Sequence, residues 1–388
     1  MTERVVRTAL AGALLFLCAV PATAQRGNAA EQQAFFDQIH APNWLGTDIA
    51  HTSIKRQRGG TCWSFATVSF LESEVLRQNE ELVAALAEAD RELDLSEYYV
   101  VYWAWVEKAR EYTSRRGEGF HPRRGEVPLG DGGLPHDVIR IVRDYGIVPE
   151  DAYVEPENSG RMTREVLAAM AEADDRGWDV EATVREVRAV LDRHLAPPPT
   201  SVTVDGRRMT PREYAADYLG IDPDAYVQLM SYTDTPFYTY GEVDVPDNWW
   251  DYDRYVNVPL DAFVRTINRA LNRGYSVAVD TDWGDRGAAW NPAGIAVIHP
   301  DMAPSYMIDQ ATRQSDFEER RTTDDHLVHA VDHRVVDGHD WYLIKNSHGT
   351  GSGRRGYVWM RGDWLALRVL NVMMHRDAID EDLLERVK

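Results

Sequence analysis

One of the two cysteines, Cys62, stands where it could act as a nucleophile. It follows a glycine pair in the stretch QRGGTCWSF, residues 57–65, and apolar residues recur after it at three- and four-residue steps. This spacing predicts an amphipathic helix that begins at the cysteine. The positive end of a helix dipole lowers the pKa of a thiol, and the thiolate is the reactive form. We therefore expect Cys62 to be a reactive thiolate, with a small buried apolar side chain as the alternative.

A thiol nucleophile needs a proton acceptor, and the C-terminal part of the chain supplies several histidines. They lie within residues 322–360 and are His326, His329, His333, His339 and His348. Asn346 could hold an imidazole ring by accepting a hydrogen bond from the nitrogen that does not face the thiol. A metal site is the alternative, but the spacing differs from that of zinc sites built from histidine and thiolate. The residue types favour a Cys–His–Asn arrangement.

The sequence leaves two histidines open as the base. A tight turn at Asp337-Gly338 would form a hairpin, and a regular hairpin would set Asn346 opposite His329 instead of His326. Register alone therefore does not choose between His326 and His329.

The N-terminus predicts export. Two arginines precede an apolar run, residues 9–20, and the run is followed by the small-residue cleavage pattern Ala22-Thr23-Ala24. The run is shorter than the ~20 residues that span a bilayer. We expect a signal peptide at residues 1–24, loss of Cys18 with it, and a periplasmic or secreted protein without a membrane anchor.

Composition narrows the classes of partner. The 388 residues carry a formal charge of −21, and a strongly acidic chain repels the phosphates of nucleic acid. No sequence pattern requires a metal or organic cofactor, so none is expected. The sequence does not decide whether the protein forms a homo-oligomer.

Two halves of different character must position the candidate residues. Residues 51–155 have mainly helical patterning, whereas residues 251–388 contain short runs of β-branched and aromatic residues bounded by Gly and Asp. Residues 25–50 form an N-terminal extension, and residues 156–250 are expected to be a mostly helical insertion. The pattern predicts an α+β fold in which Cys62 comes from the helical half and the histidine and asparagine from the β-rich half.

Three stretches in a fixed order resemble the papain-like cysteine peptidases. They are QRGGTCWSF (57–65), DHLVHAV (325–331) and IKNSHGT (344–350). The long separation of the first two, with stretches such as GGLPHDVIRIVRDYGIVPEDAY (132–153), resembles the bleomycin hydrolase and aminopeptidase C branch in particular. The resemblance covers most of residues 50–380.

The resemblance implies a role for each matched residue. Cys62 would be the nucleophile, His326 the base, Asn346 the residue that orients the base, and Gln57 the side-chain donor to the oxyanion. Gln57 stands five residues before the cysteine instead of the usual six.

Two further features bear on the cleft. His348 replaces the tryptophan that commonly shields the asparagine, which would make the site wetter. The glycine pair Gly132-Gly133 resembles the pair whose backbone binds an extended peptide, although as an isolated motif it is a turn.

Acidic and aromatic residues form further candidates. Asp280 and Asp282 either approach the cleft or form a turn after a strand, and the aromatic residues in DNWWDYDRY, residues 247–255, either line a groove or form a packed loop.

The function implied is an exported cysteine peptidase that hydrolyses peptides or proteins through an acyl-enzyme. A papain-like transacylase and a non-catalytic peptide-binding relative are the alternatives. In the branch that the chain resembles, the C-terminal segment lies in the cleft and restricts cleavage to free amino ends. The acidic tail at residues 377–388 would then give an aminopeptidase.

Overall fold

The computed structural model describes residues 39–118, 129–284, 288–291, 294–298 and 307–388. The predicted signal peptide, with Cys18, lies outside the described residues. Residues Ala41–Lys388 form one unit.

Helices make up most of the N-terminal half, as the apolar periodicity predicts. Helix α1 begins at Cys62, and almost every residue of its first three turns is buried. Within the described ranges, no helix is both long and apolar enough to cross a membrane. The helices are α1 (Cys62–Gln78), α2 (Glu80–Glu88), α3 (Glu97–Ser114), α4 (Pro135–Tyr145), α5 (Ser159–Ala171), α6 (Val180–Leu195), α7 (Leu260–Asn272), α8 (Gln310–Glu318), α9 (Gly362–Arg368) and α10 (Glu381–Glu385).

A mixed ten-stranded sheet dominates the C-terminal half, in the order β4-β5-β3-β12-β6-β9-β10-β11-β8-β7, and β1 and β2 form a separate hairpin. Its pairs are antiparallel except β11 with β8 and β3 with β5. The strands are β1 (Val202–Val204), β2 (Arg207–Met209), β3 (Tyr226–Met230), β4 (Thr239–Gly241), β5 (Tyr255–Asn257), β6 (Val277–Thr281), β7 (Ala288–Asn291), β8 (Ile295–Ile298), β9 (His326–Val336), β10 (His339–Lys345), β11 (Tyr357–Arg361) and β12 (Val369–His375).

The two faces of the sheet pack against different partners. Because side chains alternate along a strand, Ala278 and Leu327 face the apolar cluster of the N-terminal helices, including α1. Their neighbours Val279 and Val328 face a second cluster, which contains apolar residues of α7 and α9. The sheet therefore presents one face, and the ends of β6 and β9, to the helix that carries Cys62.

The segment expected to be a mostly helical insertion is mainly helical, but it also supplies strands to the central sheet. Residues 156–250 contain α5 and α6, but β3 and β4 also belong to this segment and join the central sheet. Strand β3 pairs with β12, next to β6. Short buried strands of this kind lack the length over which a period of two becomes visible in the sequence. The α+β class itself is confirmed.

Candidate active site

Cys62 is the first residue of α1 and lies against the start of β9. Its thiol hydrogen-bonds with the backbone of Leu327, the residue after His326, and with that of Trp63. Trp63 is buried, and its indole N–H donates to the carbonyl of Asp131 at 2.8 Å, so this ring packs behind the cysteine. Helix α1 thus places the sulfur of Cys62 next to the start of β9, the strand that begins with the predicted base His326.

The expectation of a lowered thiol pKa is wrong. Burial, together with the negative charges of Asp247 and Asp280, raises the pKa of Cys62 to about 12. The backbone hydrogen bonds act in the opposite direction but are outweighed. The helix terminus alone would lower the pKa of the thiol, but loss of water and the neighbouring carboxylates both oppose formation of the thiolate.

His326 and Asn346 form a buried pair. Nε2 of His326 lies 2.8 Å from Oδ1 of Asn346, and the backbone N–H of Ser347 donates to the same oxygen. That second donor fixes the orientation of the amide, so Nε2 of the ring carries the proton and Nδ1 is the basic nitrogen. Burial lowers the pKa of His326 to about 4, the hydrogen bond with Asn346 opposes this, and His348 adds to it. The imidazole is therefore neutral at physiological pH.

A β-bulge decides which histidine meets Asn346. Strands β9 and β10 pair in regular register up to Leu343 and Asp332, and the register then shifts so that Lys345 pairs with His329. The extra residue carries Asn346 one position further along, toward His326. The regular hairpin considered from the sequence contained no such bulge.

His329 lies on the other face of β9, at the interface with α1. Its Nδ1 is 2.9 Å from Oγ of Ser69, and its ring packs edge-on against Phe70. Lys345 donates to the same Ser69 hydroxyl at 2.6 Å. These contacts make His329 part of the packing between helix and sheet.

Two rings cover the base. The ring of His348 stacks on that of His326 with centroids 4.7 Å apart, and Trp283 lies 5.6 Å from it on a tilted plane. His348 is itself exposed, yet His326 is only 6% exposed and Asn346 only 3%. The site is therefore drier than the loss of the usual tryptophan suggested. Trp283, which the sequence analysis missed, directly follows Asp282 after β6 and carried no distinguishing local pattern.

Gln57 is adjacent to the His–Asn pair. Its Oε1 accepts from the hydroxyl of Ser347 at 2.5 Å, and its backbone N–H donates to the carbonyl of Ser347 at 2.8 Å. Its Nε2 donates to the carbonyl of Gly59 at 2.9 Å. One amide proton is thus used within the loop before the cysteine, and the second remains for a ligand.

Gly132 and Gly133 lie beside α1, but the side chain of Asp247 covers the backbone edge that they would offer to a peptide. Asp247 contacts them so closely that a Cβ on Gly132 would come 2.5 Å from its Cγ, and the backbone of Gly133 hydrogen-bonds with its carboxylate. Asp247 is a further residue that the sequence analysis missed, because only tertiary structure brings its loop to the glycine pair.

Asp280 does reach the site, whereas Asp282 serves the loop. Asp280 is fully buried and hydrogen-bonds with Asp324, a residue whose place in the site the sequence did not indicate. Asp282 accepts from the backbone N–H groups of Thr323 and Gly284. Only the first of the two candidate carboxylates approaches the thiol.

The acidic tail is not in the cleft. The backbone N–H of Lys388 donates to the carbonyl of Tyr238 at 3.1 Å, and Leu383 and Leu384 pack with the apolar cluster of α7. The placement implied by the resemblance is therefore wrong for the described tail.

As for metals, the described part of the chain contains no group of three or more His, Cys, Asp or Glu side chains arranged to hold an ion.

Comparison with known proteins agrees with this fold. The sequence profile of the Peptidase C1-like family matches residues 204–388. Aminopeptidase C of Lactococcus lactis is 22% identical over 387 residues, covering 88% of this chain and 85% of the relative. Aminopeptidase C of Lactobacillus delbrueckii is 23% identical over 413 residues, covering 94% and 90%.

The fold is also similar to that of solved structures. PepW from Lactobacillus rhamnosis superposes with a TM-score of 0.69 at 18% identity, covering 92% of this chain and 86% of the other.

The fold is that of the papain-like α+β class. The sequence is similar to the Peptidase C1-like family over residues 204–388 and to aminopeptidases C over most of the chain, in agreement with the resemblance to the bleomycin hydrolase and aminopeptidase C branch.

Proposed function

We propose that the chain is an exported cysteine aminopeptidase that acts through Cys62, His326 and Asn346. The observation that carries the proposal is the 2.8 Å contact between His326 and Asn346 beside the thiol at the start of α1. This arrangement leaves Nδ1 of the imidazole basic and directed away from Asn346. The names of the relatives, aminopeptidases C, G and W, support cleavage at the amino end. Export rests on the signal-like residues 1–24 alone.

The chemistry begins with proton transfer. Nδ1 of His326 takes the thiol proton of Cys62 as the sulfur attacks the scissile carbonyl carbon. The charge on the carbonyl oxygen is stabilised by the backbone N–H of Cys62 and the remaining amide proton of Gln57. The imidazolium then protonates the leaving amine, and a thioester to Cys62 remains. Water, deprotonated by the same imidazole, hydrolyses the thioester and restores the thiol.

Asn346 acts through the histidine. Its amide keeps the proton on Nε2 of His326, and it strengthens its hydrogen bond when the ring becomes charged. Ser347 and Gln57 are linked to it through one hydroxyl and two backbone contacts. The base and the oxyanion donor are therefore held by consecutive residues of one segment.

The test compares variants of the histidines on an aminoacyl-coumarin substrate. Cys62→Ala should abolish turnover, and His326→Ala should lower kcat/KM by at least about 10³-fold because nucleophile and base act as a unit. His329→Gln should lower the Tm but keep most of kcat, because that ring packs between α1 and the sheet. His339→Ala, on the exposed hairpin turn, is the matched control and should match the wild type.

Two outcomes would contradict the proposal. Equal activity of the wild type and Cys62→Ala would exclude the thiol mechanism. A loss of kcat in His329→Gln with retention in His326→Ala would transfer the role of base to His329.

A further inference from the structure

The aminopeptidase activity proposed above requires a group that binds the free ammonium of the substrate. The tail carboxylate does not supply it, since α10 and Lys388 pack near α7 and Tyr238. The group must therefore come from the cleft between α1 and the ends of β6 and β9.

Asp247 occupies the place where residues preceding the cleaved one would lie. Its carboxylate rests on Gly132 and hydrogen-bonds with the backbone of Gly133. The bare backbone of Gly132 would permit the close approach of an extended peptide, but Asp247 already lies there. A peptide chain that uses this edge would therefore meet the Asp247 carboxylate.

The loop that carries Asp247 is firmly anchored. The indole N–H of Trp249 donates to the carboxylate of Asp137 at 2.9 Å, at the start of α4. Asn248 is buried and exchanges hydrogen bonds with the backbone of Tyr252 in both directions. Trp249 and Trp250 stack on each other with centroids 4.0 Å apart. The first part of residues 247–255 is therefore a packed loop beside the glycine pair. Trp250 and Tyr252 also line a cavity with His136 and Arg140, so both alternatives considered from the sequence hold in part.

Buried acceptors next to Asp247 lack donors. Asp280 and Asn371 are both fully buried, and Nδ2 of Asn371 donates to Oδ2 of Asp280 at 2.5 Å. Among the described residues, Oδ1 of Asn371 has no hydrogen-bond partner, and Oδ1 of Asp280 and Oδ2 of Asp324 have none beyond the contact between these two acids. Burial raises the pKa of Asp280 to about 8 and the pKa of Asp324 well above its usual value, so both acids are protonated at neutral pH. The unpartnered Oδ1 of Asn371 and the remaining acceptor oxygens of the two acids can still accept from an ammonium group, which brings three donors and no acceptor.

Carboxyl groups around Asp247 also act on the pKa of the thiol. Asp247 and Asp280 both oppose ionisation of Cys62, and each also acts on the carboxyl of Asp324. Lys108 is the nearby cation, but its ammonium donates to the carbonyls of Gly130 and Gly132. Burial raises the pKa of Asp247 to about 6 against the attraction of Lys108, so the carboxylate is ionised at neutral pH.

We propose that Asp247 binds the α-ammonium of the substrate and, with its loop, closes the cleft to residues on the amino side. The inference rests on the proposed function and names the substrate class, peptides with an unblocked amino terminus. Asp280, Asp324 and Asn371 complete the acceptor lining around the bound amine. Asp247 replaces, in this chain, the terminal carboxylate that the tail does not bring to the cleft.

The experiment compares leucyl-coumarin with its acetylated twin. Wild type should prefer the free amine by at least about 100-fold in kcat/KM. Asp247→Asn, which keeps the shape and removes the charge, should lose about 10- to 100-fold on the free amine, mainly in KM, and gain nothing on the acetylated compound. Asp247→Gly should in addition begin to cleave the acetylated compound, because the space beside Gly132 opens.

Controls separate the inference from the function on which it rests. Asp253→Asn removes the same charge from an exposed position within the same loop and should match the wild type. Alkylation of Cys62 by iodoacetamide and an unchanged Tm would show that Asp247→Asn keeps a folded site. If Asp247→Asn retains the wild-type preference for the free amine, the inference is overturned while the peptidase stands. If wild type cleaves neither compound, or Cys62→Ala cleaves as well as wild type, the proposed function falls and the inference with it.

Discussion

At the scale of single residues, the proposed mechanism makes Cys62 and His326 depend on each other for their charges. Burial raises the pKa of the thiol to about 12 and lowers that of the imidazole to about 4, so each group is neutral by itself at physiological pH. In the proposed mechanism, moving one proton from the sulfur to the imidazole creates two opposite charges with no net charge. Their attraction would offset the cost of burial that either charge would meet alone. The proposal therefore makes the thiolate a property of the pair.

Alkylation of Cys62 by iodoacetamide should depend on His326. In the wild type the neutral imidazole accepts the proton, so the rate should be nearly constant from about pH 5 to 8. It should fall below about pH 4, where the imidazole is protonated and cannot act as a base. In His326→Ala the thiol keeps only its raised pKa, and its rate should rise about tenfold per pH unit between pH 6 and 9.

The measurement is the second-order rate constant from mass spectrometry of the labelled peptide, with His339→Ala as control. A His326→Ala variant that reacts as fast as the wild type at pH 6 would show that the helix terminus alone ionises the thiol.

The candidate site was predictable where it depends on neighbouring residues along the chain. Cys62 at a helix start, and Asn346 as the partner of a histidine, follow from local motifs and periodicity. The raised pKa of Cys62 did not follow, because it depends on Asp247 and Asp280, which lie far away in sequence.

At the scale of elements, the register of the β9–β10 hairpin brings His326 and Asn346 together. The bulge between Leu343 and Ile344 shifts Asn346 toward His326, and a single extra residue is invisible in an alternating pattern of apolar residues. The sheet in the β-rich half was predicted from its β-branched runs. Strands β3 and β4 were not, because three to five residues are too few to establish a period.

The segment before α1 positions Gln57 and is held by a buried ion network. Lys55 lies 2.7 Å from Glu97 and 3.3 Å from Glu72, and both carboxylates are buried. The backbone N–H of Leu95 also donates to Glu72, at 2.9 Å. Burial alone would lower the pKa of Lys55, but these carboxylates raise it above its usual value. One cation thus joins the segment to both α1 and α3.

Lys55→Met should therefore destabilise the protein strongly. It leaves Glu72 and Glu97 buried without their cation, which we expect to lower the free energy of unfolding by about 2–4 kcal/mol. Urea denaturation measures the change. Arg193→Met, which removes an exposed partner of Glu165, is the control and should cost less than about 1 kcal/mol. A loss no larger than that of the control would show that water already solvates the two carboxylates.

At the scale of the whole molecule, the sheet separates the tail from the chemistry. Cys62 packs with the cluster on one face, and Leu383, Leu384 and Val387 pack with the cluster on the other. Arg386 lies over the ring of Tyr238 at 3.5 Å. The resemblance to the branch implied a tail in the cleft, but sequence similarity transfers the site motifs more reliably than the path of a terminus, which a few surface contacts determine.

Deletion of residues 380–388 should consequently change stability and not specificity. The deletion removes three partly buried apolar side chains from the α7 cluster and should lower the free energy of unfolding by about 1–3 kcal/mol. The truncated enzyme should still reject an acetylated peptide, because Asp247 and its loop remain beside Gly132 and Gly133. Combining the deletion with Asp247→Asn should give the specificity of Asp247→Asn alone, since the two changes act on opposite faces of the sheet. Mass spectrometry of products from a free peptide and its acetylated twin measures both effects. Internal cleavage of the acetylated peptide by the truncated enzyme would mean that the tail enters the cleft and acts as the gate itself.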